Sequence, residues 1–119
     1  MRKFLFSAFV LLFTPSAFAF SGNDLLHQLI QFQRISEGHG DGSLKQTADT
    51  HFAGGFVAGI FFTLGDTDSK VCLPKQGGHL GQYTAVTRQY LSKNPYELNR
   101  PAHVLVLEAA QQAFPCTTR

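Results

Sequence analysis

Cysteine is scarce in this sequence, two residues in 119, and charge is thin, with 10 basic and 8 acidic residues making up 15% of the chain. A chain of this length holds one small domain, which excludes a multidomain enzyme. Neither of its apolar runs, Phe4 to Phe13 and Phe52 to Leu64, reaches the ~20 residues that a helix needs to cross a bilayer. There is no repeat with a period of 20 to 50 residues and no low-complexity tract. The five histidines, His27, His39, His51, His79 and His103, form no H-E-x-x-H, no pair four apart and no carboxylate-rich cluster, so the common zinc patterns are missing. Composition leaves a Ser/His/Asp triad open, but no G-x-S-x-G elbow accompanies it. Gly38-His39-Gly40-Asp41-Gly42 lacks both the Lys-Ser/Thr step and the preceding strand of a phosphate-binding loop. Asp66-Thr67-Asp68 opens like a calcium loop, yet Lys70 and Val71 stand where a further oxygen ligand and a glycine belong. The reading is therefore of a protein without catalytic residues, metal or cofactor, a scaffold with polar loops suited to binding another protein.

What is present begins with a leader. Arg2 and Lys3 precede the apolar run from Phe4 to Phe13, followed by Pro15 and the small-residue site Ala17-Phe18-Ala19. Residues 1–19 read as a signal peptide and 20–119 as the mature domain, released into the periplasm with no membrane anchor. Ten basic residues less Arg2 and Lys3 leaves eight against eight acidic, a neutral mature chain. The whole-chain pI near 8.7 is thus no sign of nucleic-acid binding.

In an oxidising compartment Cys72 and Cys116 are most simply a structural disulfide. The alternative, a Cys nucleophile served by a histidine such as His103, has no supporting sequence context. A loop of about 45 residues closed in this way stabilises by on the order of 4 kcal/mol in the chain-entropy picture.

Periodicity predicts an all-α domain of four helices. Ser21-Gly22-Asn23 supplies capping chemistry for a first helix whose Leu25, Leu26, Leu29, Ile30 and Ile35 fall on one stripe. Ser36 to Lys45, with three glycines, is a loop. A second helix is expected from about Gln46 to Leu64, with Phe52, Phe56, Ile60 and Thr63 along one side. Gly55 and Gly59, four apart, are expected to admit a neighbouring helix at close range, although a β-hairpin remains an alternative for this glycine-dotted segment. Gly65 to Lys70 turns the chain. A third helix runs roughly from His79 to Ser92, with Tyr83, Val86, Tyr90 and Leu91 on its apolar side, until Asn94-Pro95 stops it. After a turn or short helical turn over Pro95 to Arg100, Pro101 takes the first position of a fourth helix. Val104, Leu105, Leu107, Ala109, Ala113 and Phe114 are its expected buried face.

Cys72-Leu73-Pro74, Gly81-Gln82, Tyr90-Leu91, Asn94-Pro95, Pro101-Ala102 and Ala113-Phe114-Pro115-Cys116 together resemble the C-terminal signature of the Rap/Tai immunity proteins of type VI secretion systems. Gly22-Asn23-Asp24-Leu25-Leu26 and Gly55-Phe56-Val57-Ala58-Gly59 resemble that family's opening and second-helix motifs. The resemblance implies a small periplasmic helical protein, often a homodimer, that binds and inhibits an injected peptidoglycan amidase without chemistry of its own. A second cysteine pair common in the family is replaced here by Leu29 and Ala53, so the covalent tie between the first two helices is missing. The alternative is a general periplasmic binding module or acid-stress chaperone. Because the shared motif positions read as structural, partner contacts are expected in the loops: His39 and Asp41, Asp66 and Asp68, and Tyr96 with Glu97.

Overall fold

The computed structural model describes residues 20–76 and 78–117, so the expected leader lies outside the described residues. Helices α1 (Gly22–Ser36), α2 (Leu44–Thr67), α3 (Leu80–Lys93) and α4 (Ala102–Ala113) pack together, with a 3-10 turn, η1 (Pro95–Glu97), between the last two. The fold is all-α, as the periodicity predicts.

Each boundary has a local cause. The Ser21 hydroxyl accepts from the Asp24 amide while the Ser21 amide donates to the Asp24 carboxylate, a reciprocal capping box that starts α1. The Ser21 amide, followed by its hydroxyl, holds the Asp24 carboxyl below the usual carboxylate range. Ser43 begins α2 by accepting from the Gln46 amide. The last helix starts one residue later than expected, since Pro101 is extended (ψ 133°) and serves as the residue before it.

Leu25 and Leu29 from α1, Val57 and Phe61 from α2, Tyr83 and Leu91 from α3, and Leu105, Val106 and Ala110 from α4 close one core. Phe61 stacks on Tyr83 at 4.5 Å, and the Tyr83 hydroxyl accepts from the Gly78 amide, so burial of the phenol leaves no polar atom orphaned there. Leu29 and Ala53, at the positions of the missing cysteine pair, both belong to this cluster. Packing, together with the Gln46 side chain donating to Gln31 at 2.7 Å, thus joins α1 to α2.

Two expectations for α2 are corrected. The helix continues through Gly65 and Asp66 to Thr67, so Asp66 sits in its last turn and not in a loop. Its buried stripe is Thr50, Ala53, Gly54, Val57 and Phe61, one position away from the Phe52–Phe56–Ile60–Thr63 line. Gly54 makes the close approach, with Phe32 and Leu80 beside it, whereas a side chain added at Gly55 or Gly59 would meet nothing within 4 Å. The glycine pair faces outward. In α4 the buried face is also shifted: Ala102, Val106 and Ala110 are buried and Ala113 is exposed.

Candidate partner-binding site

The turn from α3 to α4 is the most firmly held of the candidate loops. Its start follows from Asn94-Pro95, because proline disfavours a helical conformation in the residue before it. The Asn94 side-chain amide donates back to the Tyr90 carbonyl at 2.7 Å, and the Glu97 amide donates to the Asn94 carbonyl at 3.0 Å. The free carbonyls on the far side of the turn meet the free N–H groups that open α1. Asn23 donates to Leu98 (2.8 Å) and Gly22 to Arg100 (3.0 Å), so each satisfies the other's unpaired backbone. Phe20 adds a third tie, its carbonyl accepting from the Ala102 amide at 2.8 Å.

Charge locks the same turn from inside. The Arg100 guanidinium pairs with Glu97 and reaches both carboxylate oxygens of Glu108 on α4, at 2.6 and 3.1 Å. The Tyr90 hydroxyl on α3 donates to the same Glu108 carboxylate at 2.8 Å. Arg100, then Tyr90, hold the Glu108 carboxyl below its ordinary value. Burial, aided by the bond to Glu108, pushes the Tyr90 phenol up to about 12. Glu108 is charged in the folded state at pH values where it would protonate in the unfolded chain, so its contribution is present at neutral pH and is lost as pH falls through its depressed folded value. Glu108→Gln should therefore lower stability at pH 7 by about 1 kcal/mol, a modest figure because the pair is partly exposed. Urea unfolding should show that gap closing as pH falls below about 5 and through the lowered folded value; a pH-independent gap would mean that the carboxylate's charge is not the source.

On this braced turn Tyr96 is 95% exposed. Between α3 and α4 lies a cleft of about 330 Å³ whose polar lining comes from Gln89, Tyr90, Lys93, Asn94 and Gln112. Such a surface offers an aromatic anchor and amide hydrogen bonds, and no nucleophile activated by a base. Among the described residues no three His, Cys, Asp or Glu side chains come together as a metal site.

The other candidates are not brought to this place. His39 and Asp41 occupy the α1–α2 loop at the opposite end of α1, where Asp41 is a loop fastener: its carboxylate accepts from the Ser43 amide at 2.8 Å and its amide donates to the Gln46 side chain at 2.7 Å. Hydrogen bonding from Ser43, its backbone amide foremost, lowers the Asp41 pKa. Asp68 closes α2, accepting from the Lys70 amide (2.8 Å) and the Gln111 side chain on α4 (3.1 Å), and is likewise lowered, first by Lys70. Asp66 is exposed at the end of α2. Glu97 is engaged by Arg100, although its side chain stays partly exposed. Sequence reasoning placed Tyr90 on an apolar face and overlooked Arg100 and Glu108. Only the three-residue step from Glu97 to Arg100 was a local signal for them.

Cys72 and Cys116 form the expected disulfide, 44 positions apart in sequence with Cα atoms 4.9 Å apart. A short antiparallel bridge of Val71 and Pro115 flanks it, and the Cys72 amide donates to the Phe114 carbonyl at 2.8 Å. None of the described helices is long and apolar enough to cross a membrane.

No curated protein and no solved structure matches the chain. The family model of the Rap1a immunity proteins, however, matches residues 21–116, from the Ser21 cap to the second cysteine of the disulfide, and the chain belongs to that family.

Proposed function

We propose that this protein is a periplasmic immunity protein that binds a type VI secreted peptidoglycan amidase and fills its substrate groove, protecting the cell that makes it. Family membership supports an immunity role against an effector. The observation that carries the site is Tyr96, 95% exposed on a turn tethered to α1, α3 and α4. A tyrosine on a braced backbone has few torsions of its own to lose on binding, which makes it an effective anchor. Inhibition then needs no chemistry from this chain: occupation of the groove excludes the substrate peptide.

The disulfide and the leader-like residues 1–19 support the periplasm as the meeting place. A homodimer is part of the same reading. An interface of about 1,200 to 2,000 Å² reaches nanomolar affinity, enough for inhibition near equal amounts at micromolar levels. Cells exporting a type VI amidase from the same genome are expected to survive when the full chain is co-expressed and to lyse when residues 2–19 are deleted. Purified residues 20–119 should inhibit that amidase with a one-to-one end point. Failure to bind any such amidase, or protection without stoichiometry, would overturn the assignment in favour of a general periplasmic binding module.

A further inference from the structure

A groove between α1 and α3 carries a positive charge that the fold itself does not answer. Of the three arginines among the described residues, Arg100 is held by Glu97 and Glu108, and Arg34 stands exposed with the charge of Asp41 near it. Arg88 differs from both. It is half-buried on α3, and among the described residues no carboxylate pairs with it. A guanidinium drawn partly out of water without a counter-charge loses hydration with no compensation. Its planar fork is shaped to regain that loss from an incoming carboxylate.

The surroundings of Arg88 define the rest of the ligand. The groove has a volume of about 380 Å³ and is walled by Leu29 and Phe32 from α1 and by Gly81 and Ala85 from α3. Its other polar side chains are already engaged: the Thr84 hydroxyl donates to the Leu80 and Gly81 carbonyls, the Ser36 hydroxyl to the Gln33 carbonyl, and the Gln33 side-chain amide to Glu37. Space is left at Gly81, where an added Cβ would meet nothing within 4 Å. The two helices are antiparallel here, since Gly54 of α2 has beside it both Phe32, near the end of α1, and Leu80, at the start of α3. Ser36 and Gly81 therefore mark one end of the groove, and Leu29 and Arg88 the other. Gly81 and Arg88 stand about 10 Å apart along α3, at 1.5 Å per residue. Glu37 adds negative charge at the Ser36 end, which directs an anion to Arg88.

We infer that this groove takes a segment of the effector in which an Asp or Glu side chain lies beside an apolar one, the carboxylate on Arg88 and the apolar group over Gly81 and Ala85. The inference rests on the immunity reading, which supplies a protein as partner. A small free carboxylate would answer the charge and leave the apolar length of the groove in water; a peptide segment covers both. The groove gives the protein a second contact, on two packed helices and separate from the Tyr96 turn. It also selects among effectors, because one that presents Lys or Arg at this place meets Arg88 and is rejected.

Calorimetric titration of residues 20–119 with the type VI amidase of the same genome, at about 50 and 300 mM salt, tests the groove. Arg88→Gln should weaken binding about tenfold or more at the lower salt and by a smaller factor at the higher, with the circular dichroism of the wild type. Gly81→Leu should weaken it by a similar factor at both salts, because the new side chain fills the groove while favouring the helix. Gln82→Leu, the next residue and outside the groove lining, should bind like the wild type. Wild-type affinity in Arg88→Gln or in Gly81→Leu overturns the groove and leaves the immunity reading standing. A loss in Arg88→Gln that is equal at both salts overturns the carboxylate. A change in the solution mass of either variant would assign the groove to a second copy of the chain and overturn the inference. A wild type that binds no such amidase overturns the inference and the immunity reading together.

Discussion

Replacing Cys72 or Cys116 with serine is expected to destabilise the domain by about 2 to 5 kcal/mol, much of what holds a chain of this size folded. The loop-entropy term for a 44-residue separation is on the order of 4 kcal/mol. The local structure adds to it. The bond clips the end of α4 to the segment entering α3, where Phe114 lies edge-on to both Phe61 and Tyr83 in the core. With the bond gone, the Val71–Pro115 bridge, the Asp68–Gln111 hydrogen bond and the packing of Val71 and Phe114 are left to hold that corner. Urea unfolding should show the loss, and reductant should lower the wild-type midpoint by a similar amount. Labelling of both thiols in native protein, or a wild type indifferent to reductant, would refute the staple.

Tyr96→Ala should do the opposite: leave folding alone and abolish most of the binding. The side chain touches almost nothing in its own subunit, so stability should stay within about 0.5 kcal/mol of wild type. As the anchor of an interface it should cost about 2 kcal/mol or more of binding, roughly thirtyfold in affinity for the amidase, with the loss in the dissociation rate. Calorimetric titration and a melting curve on the same sample separate the two effects. Tight binding by the variant would move the contact surface elsewhere, first to the His39–Asp41 loop.

How far each feature could be read in advance depends on the kind of signal that it leaves. The first helix was legible because Leu25 and Leu29 repeat against a polar background and Ser21 with Asp24 forms a local capping box. The disulfide was legible because compartment and arithmetic left one pairing. The orientation of α2 was not: a helix apolar all round has no polar side to identify the outer face, and the glycines that look like a close contact can equally floor a surface groove. At the site, Tyr96 was selected for its loop position. The reason that its loop is rigid depends on Tyr90, Arg100 and Glu108, which approach only when α3 and α4 pack. Asp41 and Asp68 show the converse, loop carboxylates that resemble partner contacts in sequence and serve as fasteners in the fold.

The ties between the start of the chain and the last helix also set an order of events. Phe20 bonds to Ala102, Gly22 to Arg100 and Asn23 to Leu98, partners separated by 82, 78 and 75 positions. A chain that emerges with its N-terminus first, from a ribosome or through a membrane pore, exposes the opening amides of α1 long before their acceptors arrive. Three helices then wait for the fourth, whose Leu105, Val106 and Ala110 fill the same core. Closure falls to the final fifth of the sequence, which also carries Cys116, the later half of the disulfide. Until then the chain remains threadable, and folding becomes a property of the compartment in which the last residues emerge.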